Sequence, residues 1–189
     1  DVKTADAAFY ARYESLTPDA DLIIYNGHAG LGANIRTLAR KGSWKQGQYV
    51  LVFMNGCDTY AYMDSALADA HADVNPDDPE GTKYVDIMMN AMPSFFRSMP
   101  AATMALVDGL MAIDAPQTYE QMFRRIDSYE VVIVSGEHDN VYVPGYDGEA
   151  LSADWTWEGL SESGTLARAE EVRFQTTPLE PGRYVFSLE

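Results

Sequence analysis

Cysteine is nearly missing from this sequence: Cys57 stands alone among 189 residues. One thiol excludes an intrachain disulfide framework, and it excludes any CxxC zinc or redox motif. Histidine is almost as scarce, and His28, His71 and His138 lie too far apart for the paired spacing of a zinc site. Positive charge is also short, with 13 basic residues against 29 acidic ones and a formal net charge of −16. Such a chain repels a phosphate backbone and an anionic bilayer, so neither a nucleic acid nor a membrane is expected as a partner. No run approaches the roughly 18 apolar residues of a membrane span, and no basic stretch followed by an apolar one opens the sequence. Core-forming material is plentiful. A hydrophobic content of 47% suits one full-sized domain with a small appendage.

Two short runs stand out. LIIYNGHAG, residues 22 to 30, is a β-rich apolar run that stops at Gly-His-Ala-Gly, and YVLVFMNGCD, residues 49 to 58, stops in the same manner at Gly56 and Cys57. Both have the length, the β-branched and aromatic content and the glycine ending of buried strands. Between them the sequence predicts a short helix, with Asn34 as its cap, Ile35 and Leu38 on one face and Gly42 at its end. A βαβ unit of this kind sets two parallel strands side by side with their carboxyl ends aligned. His28 and Cys57 are therefore expected at one edge of the sheet, where ligand crevices of open α/β folds form.

The rest of the chain extends the α/β pattern. A helical face of Ala5, Phe9, Tyr13 and Leu16 precedes the first strand. TYAYMDSALADAHAD predicts a helix or partly helical stretch, and VNPDDPEGT a polar loop. KYVDIMMNAM suits a third strand ended by Pro93, with residues 90–94 at its carboxyl edge. Residues 95–113 are predicted helical, with Pro100 in the first turn. Tyr119, Met122, Phe123 and Ile126 share one face of a further short helix, and EVVIVSGEHD predicts another buried strand. Beyond residues 143–154 the sequence turns to short alternating runs, the language of β-structure, so 1–144 and 145–189 are expected as separate units. In the second unit Trp155 and Trp157 fall on one face of a strand.

Chemistry concentrates on Cys57 and His28. A deprotonated thiol is a strong nucleophile, and an imidazole beside it can take the proton and return it to a leaving amine. Backbone N–H groups of Ala29, Gly30 and Cys57 are candidate donors to the oxygen of a tetrahedral intermediate. Asn55, Asp58, Asn90 and Ser94, at the ends of neighbouring strands, are candidates for binding substrate. The plainer reading is a buried inert cysteine and a hydrogen-bonded histidine, and for either residue alone that reading is preferred.

An apolar strand ending in His-Gly or a close variant, followed by one ending in Ala-Cys or Gly-Cys, is the pattern of the caspase, legumain, gingipain and clostripain group of cysteine peptidases. LIIYNGHAG and YVLVFMNGCD resemble it. With the VDIMMNAM and EVVIVSG strands, the similarity covers residues 20–135. It implies a caspase-like three-layer α/β sandwich with a mainly parallel sheet, a peptide or protein substrate, Cys57 as nucleophile and His28 as acid and base. The sequence departs from the group in three places. Ala29 replaces the glycine after the histidine. The two strands that precede the histidine strand have no counterpart, which implies an upstream segment or a partner chain that completes the fold. Asn55 stands where clostripain-like members often carry an aspartate for basic side chains, although Asp58 and Asp64 leave such a preference open. The stretch GTLARAEEVRFQTTPLEPGRYVFSLE resembles the opening strands of bacterial pre-peptidase C-terminal domains, as generic β-hairpins also would. Those domains are appended to secreted peptidases, so the similarity implies a bacterial protein that is secreted or periplasmic.

Dyad chemistry requires no cofactor. Calcium is the ion that the acidic loops would suit, at Asp73, Asn75 and Asp77 or at Glu137, His138, Asp139 and Asn140, but neither loop completes an EF-hand and solvated loops are the preferred reading. Met88, Met89, Met92, Met99, Met104 and Met111 are expected to fill core space. The expected activity is that of a cysteine endopeptidase. A catalytically silent scaffold of the same fold and a thiol hydrolase or acyltransferase on a nonpeptide substrate are the alternatives.

Overall fold

A computed structural model describes residues 2–136, together with the strand backbones of residues 155–159, 163–166 and 184–186. Four strands form the main sheet in the order β1 (Leu22–Asn26), β2 (Val50–Asn55), β3 (Val85–Asn90) and β4 (Val132–Ser135). The first three are parallel, and β4 runs antiparallel to β3 at the edge. The expected βαβ unit is present, with α2 (Ala33–Lys41) between β1 and β2.

Every residue of β2 and β3 is buried, because helices cover both faces of the sheet. On one face Ile35, Leu38 and Ala39 of α2 and Leu67 of α3 (Ala66–Val74) meet Val50, Val52, Met54, Val85, Ile87 and Met89. On the other, Ala102, Ala105 and Leu106 of α4 (Met99–Leu110) and Tyr119, Met122 and Phe123 of α5 (Tyr119–Phe123) meet Leu51, Phe53, Met88 and Val132. A strand buried on both sides reads as a continuous apolar run, which is why VLVFM and VDIMM show no alternation. Each fully buried large side chain, such as Phe53, contributes on the order of 1.5–3 kcal/mol.

Several expectations shift in detail. Asn34 does not cap α2. Gly32, in the left-handed region at φ +84, holds the cap position, and Asn34 turns its amide back to the His28 carbonyl oxygen at 2.8 Å. The stretch after Cys57 divides into a tight 3-10 turn, Thr59–Tyr62, and α3. The helix expected from residue 95 begins at Met99, with Pro100 in its first turn. The first helix, α1 (Ala7–Leu16), buries no residue, and Phe9 and Leu16 are exposed although Tyr13 packs on the core. Burial raises the Tyr13 hydroxyl to about 12. Of the six methionines, Met88, Met89 and Met99 fill the core, whereas Met92, Met104 and Met111 are exposed because their turn and helix positions face outward. The three strands β5 (Trp155–Gly159), β6 (Ser163–Leu166) and β7 (Tyr184–Phe186) form an antiparallel sheet in the order β6-β5-β7. The boundary expected within residues 143–154 lies outside the described residues.

Candidate active site

Strand pairing fixes the site. Asn26 and Asn55 are register partners at the ends of β1 and β2, and His28 and Cys57 each follow two residues later. Met54 pairs with Met89, which puts Asn55 level with Asn90. All three parallel strands thus end in asparagine, on one row. The alternation that sends Ile24, Phe53 and Met88 into the α4–α5 face sends this row to the same face.

The row is a hydrogen-bonded brace. Asn55 Nδ2 donates to Asn26 Oδ1 at 2.9 Å and to the Met99 carbonyl at 3.2 Å, while Asn90 Oδ1 accepts the Gly56 N–H at 3.1 Å. Thr59 Oγ1 accepts from the Asn90 N–H at 2.8 Å and donates to the Met54 carbonyl, so the ends of β2 and β3 are tied twice. The Gly27 N–H donates to the Asn55 carbonyl at 3.1 Å and extends the β1–β2 pairing into the His28 turn.

His28 itself is exposed, and its carbonyl is held by the Tyr25 hydroxyl at 2.7 Å and by Asn34. Burial raises the Tyr25 hydroxyl above its ordinary value, with the Asn34 hydrogen bond opposing, so Tyr25 keeps the proton that it donates. The His28 ring meets the edge of Phe96, with centroids 4.7 Å apart and planes at 86°. Cys57 is half-buried, and its S–H donates to the Ser94 carbonyl at 3.2 Å. Among the described residues the thiol and the imidazole share no hydrogen bond; both rest on the loop between β3 and α4.

The three backbone donors expected at this edge are uncommitted. The N–H groups of Ala29, Gly30 and Cys57 reach no acceptor among the described residues, although those of Gly27 and Gly56 on either side do. Ala29 is only 4% exposed, and an unpaired N–H in so buried a residue is uncommon. Gly56 permits this arrangement. A Cβ there would stand 2.6 Å from the Gly27 carbonyl oxygen and 3.6 Å from the Ala29 nitrogen. Gly56→Ala is expected to push the His28 turn off β2 and to cost about 1–3 kcal/mol, read as a lower urea midpoint; an unchanged midpoint would mean that the turn yields freely.

The other sequence candidates divide. Asn55, Asn90 and Ser94 are buried at the edge, and Asn55 uses both ends of its amide within the protein, with Oδ1 accepting from Ser94 Oγ at 3.1 Å. Asp58 is half-buried beside Cys57 in the left-handed region at φ +51, whereas Asp64 pairs with Arg40 on the surface. Of the calcium candidates, Asp73 is exposed, Asn75 is buried with its amide bound to Gly47 and His71, and Asp77 is bound to Lys83 and Tyr84. No group of three or more His, Cys, Asp or Glu side chains suited to a metal occurs among the described residues. Glu137, His138, Asp139 and Asn140 lie outside them.

Sequence reasoning missed Glu130. It is 2% exposed, two residues ahead of Val132, which pairs with Asn90, and Oε1 accepts from Ser94 Oγ at 2.9 Å and from Ser98 Oγ. Because β4 is antiparallel, its start falls at the edge where the parallel strands end. Only the strand direction could have revealed this. Asn26 was missed as well, though its signal was present in the three endings IIYN, FMN and MMN.

No family model matches this chain, and neither a curated protein nor a solved structure is detectably similar to it. Among the described residues no helix is long and apolar enough to cross a membrane.

Proposed function

We propose that this chain is a cysteine endopeptidase of caspase-like fold, exported from a bacterial cell. The observation that carries the reading is the register: the thiol and the imidazole follow paired strand ends by the same two residues. Cys57 Sγ attacks the carbonyl carbon of the substrate as its proton passes to His28. The oxygen takes up negative charge facing the free N–H groups of Ala29, Gly30 and Cys57. The C–N bond then breaks, His28 protonates the departing amine, and water hydrolyses the thioester that remains. In this scheme substrate displaces the Ser94 carbonyl from the sulfur and the Phe96 edge from the imidazole.

The test is covalent capture. A peptidyl acyloxymethyl ketone is expected to add once, on Cys57, and to label far faster than iodoacetamide at equal concentration; equal rates, or labelling only after denaturation, would remove the reading. One observation favours a second function, a silent scaffold: the thiol donates to Ser94 and shares no hydrogen bond with His28. A scaffold keeps partner binding when Cys57 is replaced, and its thiol reacts like any exposed one.

A further inference from the structure

We infer that Asn34 and Tyr25 are positioning residues, which aim the Ala29 N–H at the oxygen of the scissile carbonyl as that oxygen takes up charge. The inference rests on the peptidase reading and deepens it. Two donors converge on one acceptor: the Tyr25 hydroxyl reaches the His28 carbonyl oxygen at 2.7 Å, and Asn34 Nδ2 reaches it at 2.8 Å. The two are also joined to each other, since Asn34 Nδ2 lies 3.3 Å from the Tyr25 hydroxyl.

A peptide unit is planar, and no cis bond occurs among the described residues. In a trans unit the carbonyl of one residue and the N–H of the next point in opposite directions, so holding the His28 carbonyl fixes the direction of the Ala29 N–H. All the hydrogen bonding of this unit falls on its carbonyl side. The N–H side, in a residue only 4% exposed, is left for an acceptor from outside. His28 and Gly30 on either side are exposed, so the turn lies at the surface of the strand-end edge. The amide of Asn34 can face only one way. Its Oδ1 accepts the Lys3 N–H at 3.2 Å, a group that only donates, and its Nδ2 meets a carbonyl that only accepts. Asn34 is itself 4% exposed, which keeps water from competing for these bonds. The next unit is held differently: the Ala29 carbonyl accepts the backbone N–H groups of Gly32 at 3.0 Å and Asn34 at 3.3 Å, and no side chain takes part.

The experiment compares wild type, Asn34→Leu and Tyr25→Phe in peptide cleavage and in alkylation of Cys57 by iodoacetamide. Alkylation displaces iodide at a saturated carbon and puts no charge on a carbonyl oxygen, so it reads the thiol and the imidazole without the N–H. Asn34→Leu is expected to lower kcat on the order of 100-fold with little change in KM, because a donor that acts only in the transition state has been turned away. Tyr25→Phe keeps its ring against the core and leaves Asn34 on the carbonyl, so a smaller loss in the same direction is expected. Alkylation rates and their pH dependence should match wild type in both. A parallel fall in alkylation and cleavage, the mark of a merely structural role, overturns the inference, and so does cleavage at the wild-type rate in both variants. Should Asn34→Leu fail to fold, Tyr25→Phe decides by the same criteria. If wild type cleaves no peptide, the peptidase reading fails, and residual dipolar couplings, which report the direction of each N–H bond, then test the clamp alone. The Ala29 coupling is expected to change in Tyr25→Phe while that of Gly30, held through backbone donors, stays; an unchanged Ala29 coupling overturns it.

Discussion

Peptide cleavage is expected to fall to background in Cys57→Ala while the protein stays folded. Cys57 is the only sulfur-bearing nucleophile in the chain, so no other thiol can form the acyl intermediate. Its side chain is half-buried and makes a single hydrogen bond, to the Ser94 carbonyl, so removing it leaves little unsatisfied. His28→Ala separates the roles. The imidazole is exposed and contacts Phe96, whereas the hydrogen bonds that hold its turn are made by the His28 carbonyl, which alanine retains. The turn is therefore expected to survive the substitution, with cleavage lost and slow alkylation of Cys57 preserved. Alkylation rates measured against pH decide the mechanism. An imidazole that takes the thiol proton makes wild type react at lower pH than His28→Ala, and superimposable profiles would show that His28 does not act on Cys57.

The second large effect concerns stability in mild acid and originates on the opposite face of the sheet. His71 in α3 is fully buried, its ring 4.6 Å from Trp44, and neither ring nitrogen has a hydrogen-bond partner among the described residues. Burial lowers its pKa to about 4 from the ordinary 6.5, with the nearby charge of Asp78 opposing. A depressed histidine is neutral in the fold and takes up a proton more readily once unfolded. Its contribution is therefore complete above pH 6.5, declines as the pH falls and is exhausted near pH 4. Between pH 7 and 4.5 the fold is expected to lose about 2 kcal/mol through this residue. Urea midpoints of wild type and His71→Leu at the two pH values provide the check. The variant should lose much less than wild type over the same interval; an equal loss in both would place the acid sensitivity elsewhere.

How much of this was legible in the sequence depends on the range of the interaction. The strands β1, β2 and β3 and the crossover helix α2 follow from local runs and their punctuation, and the register of β1 on β2 follows from the two matching endings. The shared edge of Cys57 and His28 was therefore readable. Glu130 was not, because its place depends on β4 running antiparallel, and the residues VVIVS carry no mark of direction. Asn34 misled for a similar reason. An asparagine before an apolar periodic stretch signals a cap, but here a left-handed Gly32 begins the helix and frees Asn34 to hold the His28 turn. The exposure of Met92 and Phe96 was hidden as well, since a turn inverts faces that a helical pattern would bury.

The antiparallel edge strand also sets a schedule. During synthesis a chain emerges amino end first, so Cys57 and His28 leave the ribosome long before Glu130 does. Until Glu130 arrives, Ser94 and Ser98 lack its buried carboxyl as an acceptor, and the loop beneath the thiol is held by fewer hydrogen bonds. Parallel pairing across intervening helices is slow to close, which lengthens the delay further. On the peptidase reading, a nascent chain thus carries its nucleophile well before it carries a finished site. On that reading, cleavage waits until the last strand of the main sheet has docked.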